Sequence, residues 1–232
     1  MSPTDGPCEC RVARVPLGPT DCSHGAHPDG RVSTREWARW PHLFDFNSQP
    51  REAYLCLPGV ASERRPYFTA ARFGPDVITS NAAFTAVDPD GFQFSIVSSS
   101  MFLAWQRSVG GRLKSDLRFS NTVVWSNLPL PAISSTLREG IILAGRAVLA
   151  ARDLQPNKSL AQHYQQGSMT TELLAVHDQL DELVDRGFGA PEKCATERER
   201  QEILFARYEE LTAPTLCRSV YRPEAEVTAR QR

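Results

Sequence analysis

The chain is 232 residues long, 41% hydrophobic and 23% charged, with a formal net charge of -1 at pH 7. That length can hold one large domain or two small ones around a real core, and the charge balance excludes a strongly basic, histone-like binder, so any contact with nucleic acid has to rest on local patches. No apolar run approaches the ~20 residues that cross a bilayer, the N-terminus has no apolar signal-peptide core, and the six cysteines Cys8, Cys10, Cys22, Cys56, Cys194 and Cys217 are scattered, all of which points to a cytoplasmic protein that is not embedded in a membrane.

Residues 1–35 are rich in Pro, Gly, Ser, Thr and Asp, with too few large apolar side chains to offset the entropy of ordering them, which predicts a disordered tail. Soft ligands crowd into it at Cys8, Cys10, Cys22, His24 and His27. Their C-x-C spacing is not that of a zinc finger and no hydrophobic residues are placed to fold around a metal, so no metal site is expected. Trp37, Trp40, Leu43, Phe44 and Phe46 mark the start of folded structure. Tyr54 to Leu57 reads as a buried strand ended by Pro58-Gly59, with Cys56 a small core residue. A polar, hairpin-like segment follows at 62–68 and brings in Arg64 and Arg65, then a short strand at Val77-Ile78-Thr79. Asp88-Pro89-Asp90-Gly91 is a turn, after which Phe92, Phe94 and Ile96 alternate with Gln93, Ser95 and Val97 in the pattern of a strand.

The stretch from 98 to 131 is the densest. Ser98 to Ser100 offer hydroxyl caps, Met101, Phe102, Ala104, Trp105 and Val109 recur at helical spacing, and Gly110-Gly111 stop the helix. Beyond the glycines Arg112, Lys114 and Arg118 alternate with Leu113, Leu117 and Phe119, a pattern able to anchor one face in a core and present cations on the other. With Arg107 these side chains suit phosphate, which Arg can grip with two parallel bonds and Lys with a point charge. A solvated basic loop would carry the same residues. A β-branched run then closes at Pro129 and Pro131.

After Pro131 the period becomes helical and the charge turns acidic. Ile133, Leu137, Ile141, Ala144 and Val148 define one helix reaching about Arg152. Leu173, Val176, His177, Leu180, Leu183 and Val184 define a second, stopped at Gly187 and Gly189. Thr196 and Glu199 have capping-box spacing ahead of a third, carried by Ile203, Leu204, Tyr208 and Leu211. His177 lies on an apolar stripe and reads as a packed residue, while the helix acids, Glu182 and Asp185 among them, read as a solvated face. No G-x-x-x-x-G-K-[ST] loop, G-x-S-x-G elbow or H-E-x-x-H pair occurs, so no catalytic residue is assigned.

Residues 54–65 (YLCLPGVASERR), 98–105 (SSSMFLAW) and 111–120 (GRLKSDLRFS) resemble the target-recognition region of MmeI-like, type IIL restriction-modification enzymes. Stretches at 150–152, 169–174 and 180–186 fall where the family's C-terminal helical domain has them. In such single-chain enzymes an endonuclease, a helical connector and an N6-adenine methyltransferase precede these two domains. The resemblance implies double-stranded DNA as partner, with Arg64, Arg65, Arg107, Arg112, Lys114 and Arg118 as the candidate DNA-binding residues. It also implies S-adenosylmethionine as the cofactor of the parent enzyme, but the Asn-Pro-Pro-aromatic motif, the glycine-rich loop and the nuclease motif are missing from this sequence, so no cofactor is expected on this chain.

The expected architecture is therefore α+β. A disordered tail at 1–35 precedes a partial recognition domain with a small mixed β-sheet at 36–131, a helical domain at 132–213 and a second disordered tail at 214–232. The implied polypeptide is a fragment, a split subunit or a remnant that reads DNA. The alternative is a helical interaction subunit that docks on a separately encoded methyltransferase.

Overall fold

The computed structural model describes residues 50–80 and 82–220, with 214–220 described by backbone alone. The expected N-terminal tail, its Cys/His cluster, the aromatic stretch from Trp37 to Phe46 and residues 221–232 lie outside the described residues.

Strand β1 (Tyr54–Pro58) is buried along its whole length. A strand covered on both faces needs a continuous apolar run, and Tyr-Leu-Cys-Leu supplies one. It is the middle of an antiparallel sheet between β3 (Ala71–Phe73) and β4 (Ala83–Val87), with Cys56 opposite Ala71 on one side and Thr85 on the other. After Gly59 the chain enters β2 (Val60–Ala61), which pairs with β6 (Asp116–Arg118), and β6 pairs with β5 (Gly111–Leu113). The described strands thus form two three-stranded antiparallel sheets instead of a single mixed one. The segment at 62–68 is not a hairpin: its neighbours β2 and β3 lie in different sheets, and it links them through a turn closed by Arg65 N–H to the Ser62 carbonyl at 3.3 Å. Of the strand expected at Val77 to Thr79 only a single bridge at Ile78 forms, and β4 was not anticipated.

The largest departure is at Phe92–Val97, which is helix α1 and not a strand. The Asp88 carboxylate accepts from the N–H groups of Gln93 and Phe94 at 3.1 and 3.0 Å, Asp90 accepts from Phe92 N–H at 3.0 Å, and Gly91 takes the left-handed φ of 87°. Satisfying the orphan donors of a first turn outweighs the two-residue alternation of the side chains. Arg72 fixes the same turn through the carbonyls of Asp88 and Pro89.

Helix α2 (Ser100–Val109) begins where the hydroxyls are, with Ser99 Oγ accepting from Phe102 N–H, and ends at Gly110. Its Trp105 indole donates to the Val124 carbonyl at 2.8 Å, seating a π-helical turn at Asn121–Trp125. The helical part comprises α3 (Ser135–Asp153), α4 (Leu160–His163), α5 (Thr171–Gly187) and α6 (Glu197–Val220), entered through side-chain caps at Ser134, Ser159, Thr170 and Thr196. The backbone of α6 passes Pro214 and reaches Val220, within the stretch expected to be a tail.

One apolar core runs through both parts, from Leu55 on β1 through Phe102 on α2 to Ile141, Leu180 and Leu204 on the three long helices. Helix α3 packs on α5 and on α1, and α2 packs on α6. The α1–α3 crossing depends on Gly145, where an added Cβ would fall 2.0 Å from Ser95 Oγ. Two helix acids read as solvated are buried: Asp185 is fully enclosed, and Asp181 is nearly so.

His177 is packed, as its place on the stripe suggested. Its ring stacks on Tyr67 with centroids 3.9 Å apart, and Nε2 lies 2.6 Å from the Tyr164 hydroxyl. That hydroxyl accepts from Arg152 Nε at 2.9 Å, so its own proton is directed at Nε2. Burial, then the Arg152 charge, pull the His177 pKa down to about 3. Between that value and the ordinary ~6.5 the unfolded chain binds a proton that the folded chain refuses, so stability is complete above the unfolded pKa and falls as pH drops. From pH 8 to pH 5 we expect a loss of about 2 kcal/mol from this residue. His163, also lowered by burial, adds to the loss, and Asp181, raised by burial, offsets part of it at the acid end. Urea titrations at pH 8 and pH 5 check this; a His177→Phe chain retaining the full slope would refute the assignment.

Candidate nucleic-acid interface

Strands β5 and β6 make a hairpin that stands out from the core. All three residues of β5 are exposed, and on β6 only Leu117 is buried. The pleat decides where the cations go. Residues directly opposite on paired strands share a face. Arg118 opposes Val60 and Gly111, and Arg112 opposes Leu117, so the two guanidiniums leave the ribbon on different faces. Lys114 sits at the tip. The expected single cationic face is thus a cationic finger, and Leu113, expected to anchor the core, is 53% exposed near its end. Leu117 and Phe119 do anchor it.

Lys114 and Ser115 form a two-residue turn in which Lys114 has a φ of 58°. A positive φ at that position is normally given to glycine, and a side chain there costs about 1 kcal/mol. We expect Lys114→Gly to raise stability by about 1 kcal/mol while weakening binding to a polyanion. Thermal unfolding and a binding isotherm on the same preparation check both signs.

Arg112 is held at the base of the finger, with Nη1 2.8 Å from the Glu63 carboxylate and 2.9 Å from the Ser115 carbonyl. That contact brings the loop at 62–65 against the hairpin. Arg64 on this loop is exposed, and Arg65 bonds Thr69 Oγ1 at 2.7 Å. Arg107 is placed differently from the other five. Its fork reaches the Glu197 carboxylate at 2.5 Å and the carbonyls of Glu63 and Arg65 at 3.2 and 3.4 Å, below the loop instead of beyond it. The structure therefore gathers Arg64, Arg65, Arg112, Lys114 and Arg118 around one loop and one hairpin, with Arg107 underneath.

On the Arg118 side of the finger an open groove of about 690 Å³ runs between the hairpin and β4. Its rim carries Phe84 and Val123, both large apolar residues left exposed, beside the Arg118 guanidinium. Neither apolar residue was singled out by sequence. Both belong to elements, β4 and the π-helical turn, whose form was not legible there. Among the described residues no group of His, Cys, Asp and Glu could hold a metal ion, and no helix is long and apolar enough to cross a membrane.

The chain matches two family models, the MmeI target recognition domain over residues 26–132 and the MmeI C-terminal domain over residues 134–216. It is 30% identical over 179 residues to DNA methyltransferase A of Bacillus subtilis (strain 168), an alignment that takes in 77% of this chain and 20% of that protein. Among solved structures, the type IIL restriction-modification enzyme MmeI in complex with DNA superposes with a TM-score of 0.71 at 34% identity, over 80% of this chain and 25% of that one. The chain accordingly spans a quarter or less of the length of these relatives.

Proposed function

Because the chain belongs to the MmeI family, of which it carries the target recognition and C-terminal domains, we propose that it recognises double-stranded DNA, with the β5–β6 hairpin as the element that enters the groove. The observation that carries this is the distribution of charge on the finger: Arg118 on one face, Arg112 on the other and Lys114 at the tip. Beyond its pairing with β2 the hairpin is a two-stranded ribbon, an element that the major groove of B-DNA admits, and cations on both of its faces can meet the phosphates of both flanking strands. Arg64 and Arg65 extend the same surface. These contacts fix register on the duplex, whereas base edges are read by other groups.

Methyl transfer is assigned to another part of the system. The sequence has neither the adenine-binding motif nor a glycine-rich loop, so the role proposed for these residues is recognition alone. A methyltransferase part, on the same polypeptide or on another, is the partner that this division of labour calls for.

Titration of the full chain with a labelled duplex over a range of salt concentrations tests the proposal. Four or five phosphate contacts give a log–log slope of about -4, from roughly -0.9 per contact. Affinity that stays flat between low and moderate salt would overturn it.

A further inference from the structure

Arg107 joins three pieces of chain that are far apart in sequence. It lies in the last turn of α2, its Nη1 is 2.5 Å from Glu197 Oε2 in the first turn of α6, and its Nη2 donates to the Glu63 and Arg65 carbonyls. A planar guanidinium is suited to holding several acceptors at once. At the other end of α2, the Asp181 carboxylate of α5 accepts from Ser100 N–H at 2.7 Å, Ser100 Oγ–H at 2.6 Å and the Tyr67 hydroxyl at 3.2 Å. The helical part therefore grips both ends of one helix. From the gripped C-terminal end the chain passes through Gly110 into the hairpin, and Gln106 on the last turn donates to the Arg118 carbonyl at 3.1 Å.

We propose that Arg107 and Glu197 are positioning residues, through which the helical domain sets the loop that carries Arg64 and Arg65 against the DNA. The inference rests on the DNA reading above and assigns to Arg107 a role other than phosphate contact. Two features separate the roles. The Arg107 side chain is only 28% exposed and both terminal nitrogens of its fork are committed, Nη1 to a carboxylate and Nη2 to two carbonyls, whereas Arg112 is 46% exposed and makes its bonds through Nη1. A residue that neutralises a phosphate changes the salt dependence of binding, whereas one that places other cations changes affinity alone.

The test uses the full chain carrying Arg107→Ala, Glu197→Ala or both. Backbone amide exchange at 62–65, read without DNA, is expected to accelerate in each single variant and no further in the double, the signature of one shared contact. Duplex affinity is expected to fall roughly fivefold, equivalent to about 1 kcal/mol, with the log–log salt slope unchanged. A slope shallower by about one in Arg107→Ala but not in Glu197→Ala would make Arg107 a phosphate contact and overturn the proposal, as would unchanged exchange in Glu197→Ala, the variant on the exposed side of the pair and the less disruptive of the two. A chain with faster loop exchange in the variants but no duplex binding in any form would discard the DNA reading and leave the tether standing.

Discussion

Replacing Arg200 with alanine should lower the stability of the folded chain by about 3–5 kcal/mol, the cost of stranding one partner of a buried ion pair. Asp185 on α5 is fully enclosed, and both its oxygens are engaged by Arg200 on α6, at 2.9 Å from Nε and 2.8 Å from Nη2. The same carboxylate accepts from Cys194 N–H at 2.9 Å, and Arg200 donates to the Cys194 carbonyl at 3.1 Å, so the pair also pins the link between the two helices. Burial works against the guanidinium's charge, and its bonds to Asp185 more than offset that, leaving the Arg200 pKa raised. The neighbouring Cys194 thiol is pushed up to about 11 by burial and by the Asp185 charge, which keeps it protonated and inert. Alanine at 200 removes both charge-assisted bonds to Asp185 and leaves the acid in a closed site. The check is a denaturant titration in which the midpoint falls with the slope unchanged. Arg198, 86% exposed and paired with Glu202 one turn on, is the control, and its replacement should cost no more than about 0.5 kcal/mol. A loss at Arg200 as small as that at Arg198 would show the pair to be dispensable.

Removing Arg112, Lys114 and Arg118 together should nearly abolish duplex binding while leaving the fold intact. All three side chains are exposed, so their loss removes little packing. If each meets a phosphate, the log–log salt slope should become shallower by about 2.7, and at ~0.1 M salt each contact is worth roughly eightfold, or about 500-fold for the three. The loss should be similar for every duplex sequence, because phosphate contacts carry no base information. Fluorescence anisotropy at several salt concentrations, with circular dichroism to confirm folding, reads both quantities. A folded triple variant that retains the slope of the unaltered chain would remove the hairpin from the interface.

Most of the helical architecture was legible because its signals are local. Ser99, Ser134, Thr170 and Thr196 cap within three residues of themselves, and the apolar spacing of α3 and α5 repeats over a few turns. The continuous apolar run of β1 was legible for the same reason. Phe92 to Val97 misled because two local signals conflict there: the side-chain alternation favours a strand, while the acids at 88 and 90 supply helix caps. The caps prevailed once the core covered both faces of the segment.

The candidate interface divides along the same line. Sequence located the cations and the resemblance located the domain, but neither distinguished Arg107 from Arg118. The first meets an acid 90 residues away, and the second faces an open groove. Likewise Asp181 and Asp185 resemble any other helix acids until Ser100, 81 residues distant, and Arg200 are brought against them.

By itself, the sequence determined helices α2, α3 and α5, the central strand, the family and the cationic inventory, since each depends on residues that are neighbours in the chain. Only the tertiary structure decided which charges are spent inside the protein and which remain for a partner. A charge pairs with whatever the folded chain places a few ångströms away, and that distance is set by packing one core across both domains.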